Sequence, residues 1–157
     1  MTPESLVHTT DLLAQLNRVI QETLQHADSS QRPPRRVFMV YLASFFQYNV
    51  DQGGFAQLFY NARGENLAEI DDMLSEANAT VAHQSYRQAV ELCLDAQPAY
   101  QEFLSSDYLS PSDLKNALHA VSIEYFRQGS SFLAEAADFI EASREPVDAW
   151  VRSQAPV

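Results

Sequence analysis

The sequence predicts an all-α protein, a single domain over residues 1–157 with about seven helices. Apolar residues recur at intervals of three and four almost throughout, and no segment alternates apolar and polar residues as a half-buried strand would. Every proline falls at the edge of a periodic segment and none inside one. With 157 residues, 46% of them apolar and 20% charged, the chain is long enough for one real core and short for a two-domain enzyme.

Leu13, Leu16, Ile20 and Leu24 repeat at three and four behind Thr9 and Thr10, whose hydroxyls are candidate caps for a first helix from about Thr10 to Ala27. Asp28 to Pro33 is a polar loop, and Pro34 suits the first turn of a second helix ending near Val50. Phe38, Tyr41, Phe45, Phe46 and Tyr48 place aromatics on more than one side of that helix, as burial in the centre of a fold requires. Its greasiest stretch, Val37 to Phe46, is ten residues long, well below the roughly 20 that cross a bilayer, so no membrane association is expected. Gly53-Gly54 breaks the pattern, a short helix runs from about Phe55 to Ala62, and Gly64 closes it. Asn66-Leu67-Ala68-Glu69 reads as a capping box for a helix to about Ala77. Another helix runs from about Thr80 to Gln97, and Pro98 opens a short helical turn through Leu104. Ser110-Pro111-Ser112-Asp113 combines a capping serine with proline at the first position and an acid at the third, and opens a helix to about Gln128. Gly129 separates it from a last helix, Ser131 to Ser143, and Pro146 begins a short tail.

The formal charge is -11, from 21 acids against 10 bases, which disfavours direct nucleic-acid binding, because phosphates are held by excess Lys and Arg. Partners are expected to be basic proteins. One cysteine permits no internal disulfide framework, and the first residues lack a basic then apolar leader, so a cytoplasmic location is expected. The charge is unevenly placed: residues 1–62 carry a net -1 and residues 63–157 a net -10, with Lys115 the one lysine of the chain. A field of one sign over so long a stretch steers cationic partners or simply keeps the protein in solution.

Three of the four glycines fall within the run Val50-Asp51-Gln52-Gly53-Gly54-Phe55-Ala56-Gln57-Leu58-Phe59-Tyr60-Asn61-Ala62-Arg63-Gly64. The glycine pair lets the backbone turn sharply, Phe55 and Phe59 form a core ridge with Leu58, and Gln57 and Asn61 share a different side. Turn chemistry accounts for these residue types without a ligand, and no strand precedes the glycines as in a nucleotide-binding loop.

This run resembles that of the DNA-mimic proteins, an all-helical family with the hallmark Val-x-Asn-Gly-Gly-Phe-x-Gln-Tyr-Phe-x-Asn-x-x-Gly. Val50, Gly53, Gly54, Phe55, Gln57, Phe59, Asn61 and Gly64 match, while Gln52 stands for Asn and Leu58 for Tyr. The likeness is clearest from about Val40 to Asp95, and the family-like core extends over about residues 40–140. The resemblance implies a small, acidic, dimeric protein whose surface carboxylates imitate DNA phosphates and occupy the DNA site of a protein such as a transcriptional regulator. The motif itself, Gly53, Gly54, Phe55, Gln57, Phe59, Asn61 and Gly64, reads as structural.

Glu65, Glu69, Asp72 and Glu76 recur at four, three and four opposite an apolar stripe of Leu67, Ile70, Leu74 and Ala77. On one helix they form a ridge with one charge per roughly 5 Å of rise. Duplex DNA carries one per about 1.7 Å, so imitation needs further rows or a second copy. Glu91, Asp95, Glu102, Asp107 and Asp113 follow with no base between Arg87 and Lys115, and Glu135, Asp138, Glu141 and Glu145 extend the series. A solvated amphipathic face yields the same pattern without a partner.

Catalytic and metal chemistry finds little footing. The Glu-x-x-His signature of bundle metal sites is missing, Glu22 and His26 read as a surface pair, and His83 falls on the apolar face of its helix as a core histidine. His8 and His119 have no recognisable partner, and Cys93 lies between Val90 and Leu94 as a buried, inert thiol. Asp71 and Asp72 diverge by about 100° on a helix and cannot face one substrate. The basic cluster Arg32-Pro33-Pro34-Arg35-Arg36 is suited to pairing with the acidic half or to a dimer contact.

The expectation is therefore a non-catalytic inhibitor without cofactor or metal, a homodimer that occludes the basic nucleic-acid-binding surface of a DNA-binding protein. Its partner-binding residues would be Glu65, Glu69, Asp72, Glu76, Asp95, Glu102 and Asp107. One alternative is an immunity or antitoxin protein that neutralises a basic toxin such as a nuclease. A second is a small-ligand-binding domain or enzyme using Gln57, Asn61 and His83 at the glycine corner.

Overall fold

Eight helices account for the architecture, as a computed structural model shows for residues 2–26 and 32–154. They are α1 (Pro3–His26), α2 (Arg35–Ala62), α3 (Leu67–Glu76), α4 (Thr80–Asp95), α5 (Gln97–Ser105), α6 (Asp113–Arg127), α7 (Phe132–Ala142) and α8 (Arg144–Ser153). No strand occurs among the described residues, so the all-α class holds and the helix number rises from about seven to eight. The expected loop from Asp28 to Pro33 lies mostly outside the described residues, as does the expected end of the first helix at Ala27.

The differences in count have one cause at each site. Pro98 and Pro146 both lie in the first turn of a full helix, where the missing N–H costs nothing. The segments read as a turn and a tail are α5 and α8, the latter burying Val147 and Trp150. The break expected at Gly53-Gly54 is present as a kink at which both glycines leave helical geometry, and the two helices that meet there are counted together as α2.

Several caps also move. Thr9 and Thr10 do not cap α1, which begins at Pro3; their hydroxyls donate to the carbonyls of Ser5 and Leu6 one turn back. Asn66 makes no side-chain cap bond, because it sits at φ 60° in the left-handed region, so the expected capping box is not formed. Ser112 rather than Ser110 caps α6, accepting from the Lys115 N–H at 3.1 Å. Ser131 caps α7 by the same device, through the Ala134 N–H. Leu24, expected on the core face of α1, is exposed near the end of the helix.

α2 is the central element, packed by α1, α3, α6, α7 and α8. Phe46, fully buried on it, meets Phe55, Tyr86 and Phe132 with ring centroids 4.9–6.3 Å apart. α4 lies against α3, α5, α6 and α7 and delivers Tyr86, whose ring stacks on Phe59. The Tyr86 hydroxyl donates to the Leu67 carbonyl at 2.6 Å, which ties α4 to the start of α3. No helix among the described residues is long and apolar enough to cross a membrane.

Candidate functional site

The glycine corner is built by four polar side chains, Ser122, Asn49, Gln57 and Asn61. Gly53 has φ -146° and ψ 18°, and Gly54 has φ 67° and ψ -163°, a combination open essentially to glycine alone. A Cβ on Gly54 would lie 2.4 Å from the Ser122 Oγ, so α6 approaches the kink closely only because no side chain is there. The same hydroxyl accepts from the Phe55 N–H at 2.8 Å and donates to the Leu118 carbonyl at 3.0 Å, satisfying an amide that the kink releases from the helix ladder.

Across the bend, the buried Asn49 Oδ1 accepts from the Gln57 Nε2 at 3.1 Å and from the Asn61 Nδ2 at 2.7 Å, while its own Nδ2 donates to the Phe45 carbonyl. Gln57 and Asn61 thus clamp the second half of α2 to the first. Phe55, Leu58 and Phe59 are fully buried, as expected of the core ridge, and Gly64 stands at φ 77° just past the end of the helix. The corner is a packing device, and its polar groups face one another. His83 is engaged elsewhere: its Nε2 lies 2.8 Å from the Asp71 Oδ1, so it joins α4 to α3 at the edge of the core. Gln57 and Asn61 therefore share Asn49 as their partner, and His83 is held apart from them by Asp71.

Asp71 also receives Arg87, at 3.1 Å from Nε to Oδ1 and 3.3 Å from the second guanidinium nitrogen to Oδ2. Hydrogen bonding by Arg87 holds the Asp71 carboxyl below its ordinary value of 3.8, with His83 adding to this and partial burial opposing it. Burial pushes the Cys93 thiol up to about 12, leaving it an unreactive part of the core.

The acidic residues divide into two groups. One group is spent inside the chain. Glu76 pairs with Arg35 at 2.6 Å, Glu141 with Arg144 at 2.8 Å and with His8 at 3.3 Å, and Glu145 with Arg152 at 3.2 Å. Glu135 accepts the Val81 and Ala82 amides at 2.8 and 3.1 Å and so caps the start of α4 from α7. The His8 partner was not legible from spacing, since Glu141 lies 133 residues away. Arg35 and Arg36 pair with the acidic half as one of the two expectations had it. Arg36 donates to the Ser143 Oγ and the Phe139 carbonyl and lies 4.3 Å over the Phe139 ring.

The other group faces solvent without an ion-pair partner among the described residues: Glu65, Glu69, Asp72, Glu91, Asp95, Glu102, Asp107, Asp113 and Glu124 in one stretch, with Glu4, Asp11, Glu22, Asp51, Asp138 and Asp148 outside it. Asp107 accepts from the Ser110 N–H and hydroxyl, which keep its carboxyl below the usual range. The stretch from Glu65 to Glu124 runs from the turn before α3 to α6. The ridge is shorter than its spacing implies: Glu65 sits in the turn before α3, and Glu76 is neutralised by Arg35, leaving Glu69 and Asp72 as its open charges. Glu102 and Asp113 both line a groove between α5 and α6.

A family model described as DMP19-like protein matches residues 31–154. No curated protein and no solved structure matches the chain.

Proposed function

Since the chain belongs to the DMP19-like protein family, we propose that it is a non-catalytic inhibitor whose acidic surface occupies the basic nucleic-acid-binding face of a partner protein by DNA mimicry. The observation that carries this reading is the distribution of unspent charge. Nine carboxylates from Glu65 to Glu124 face water without an ion-pair partner among the described residues, whereas Arg35, Arg36, Arg87, Arg144 and Arg152 are committed within the chain. A surface of one sign accelerates encounter with a basic partner and penalises approach to nucleic acid itself. The resemblance of the glycine run to that of the DNA-mimic proteins supports the same reading from an independent part of the chain.

The charge density argues for two copies acting together. Glu69 and Asp72 leave α3 with fewer open charges than the four of its sequence ridge, against one per about 1.7 Å along duplex DNA. A homodimer doubles the rows available to a target that recognises a two-fold operator.

The test is charge reversal away from all internal pairs. The double substitution Glu69→Lys and Asp72→Lys leaves the core untouched, since both side chains are exposed, and should preserve the helical circular dichroism spectrum. Capture of a basic DNA-binding protein from native lysate by the wild type, lost in this variant, is the expected outcome. Undiminished capture by the variant would exclude the α3 surface from the interface.

A further inference from the structure

Between α5 and the start of α6 lies a groove of about 440 Å³, within the range of roughly 300 to 1,000 Å³ typical of ligand clefts. Ala99, Phe103, Pro111 and Leu114 give it apolar walls, and Glu102 and Asp113 flank it, one from each helix. Both carboxylates are exposed, and neither has an ion-pair partner or a side-chain hydrogen bond among the described residues. We infer that this groove receives an arginine side chain of the basic partner, an inference that rests on the acidic-surface reading and gives it a specific anchoring point.

Three features favour that occupant. The aliphatic stem of an arginine covers apolar surface while its charged head stays at the rim. The guanidinium is planar, weakly hydrated and carries five donors, enough to serve two carboxylates at once, whereas the compact lysine ammonium gives up more hydration on entering such a site. The one cation close in sequence is also turned away: Lys115 bonds the Tyr108 carbonyl and lies 4.3 Å over the Tyr108 ring, outside the groove lining. The groove thus retains a charge that Glu76 and Asp71 have lost to Arg35 and Arg87. Its walls are held by local bonds, donated by Ser110 to the Asp107 carboxylate and by the Lys115 amide to the Ser112 hydroxyl, so the shape exists before a partner arrives.

The experiment titrates hexa-arginine and hexa-lysine separately into the isotope-labelled full chain at low salt, followed by amide chemical shifts. Hexa-arginine should bind several-fold more tightly, with the largest shifts between Glu102 and Leu114. The double variant Glu102→Gln and Asp113→Asn should bring hexa-arginine down to the affinity of hexa-lysine, while Glu69→Gln with Asp72→Asn keeps the arginine preference. Equal affinities of the two peptides, or equal weakening by both variants with shifts spread over α3 to α6, would overturn the groove and leave the acidic-surface reading standing. Absence of binding by both peptides would overturn the acidic-surface reading together with the groove.

Discussion

Gly54 shows how much one residue decides here, because α2 can bend toward α6 only where two conditions meet. The backbone must reach φ 67° with ψ -163°, and the space beside it must admit the Ser122 hydroxyl at a distance where a Cβ cannot stand. Gly54→Ala is expected to cost about 3 kcal/mol, combining backbone strain with overpacking. That lowers the melting temperature by about 6 to 12 °C for a domain of this size. Gly129→Ala is the matched control: its φ is 71°, but nothing lies within 4 Å of the added Cβ, so about 1 kcal/mol is expected. Thermal melts of the two variants check the difference. The glycines were legible in the sequence as a sharp turn, and Gln57 and Asn61 as a polar pair on one side of it. Their receiver, Asn49, and the serine that fills the bend, Ser122, were not. Both are single polar residues on apolar faces, and only the tertiary approach of α6 and the fold-back of α2 give them partners.

At the scale of elements, the helices were legible wherever their apolar period was strong, and their ends were misread wherever a tertiary contact replaced a local cap. α4 begins without a side-chain cap of its own because Glu135 of α7 takes two of its amides, a contact 53 and 54 residues long that no local pattern reveals. α3 is likewise fixed from outside, by the clasp of Asp71 with His83 and Arg87 from α4. The lowered pKa of Asp71 gives this clasp a pH signature. A depressed carboxylate stabilises the fold above its unfolded value of 3.8, and the contribution disappears as pH falls through the lower folded value. Asp71→Asn should therefore lower the melting temperature near pH 7, and the gap to wild type should close as the pH drops well below 3.8. Paired melts across that range measure it, and a gap independent of pH would show that the carboxylate charge contributes nothing to holding α3 on α4.

Over the whole molecule, the fold class and the sign of the surface follow directly from spacing and composition, while the shape of the charged face does not. The count of acids was visible in the sequence; which of them are spent on Arg35, Arg87, Arg144 and Arg152 depends on how eight helices close around one core. That closure moves the open charge from a four-acid ridge on α3 to a broader surface reaching the α5–α6 groove. Binding through such a surface must weaken steeply with salt. It must also compete with the polymer that it imitates, whereas an immunity protein blocking a catalytic pocket need not. The most direct test is to capture the partner on the wild-type chain at low salt and then wash with duplex DNA. Release of a basic DNA-binding protein by DNA, and by high salt in a parallel wash, is the predicted result. A captured protein that resists DNA while remaining able to bind it would contradict mimicry.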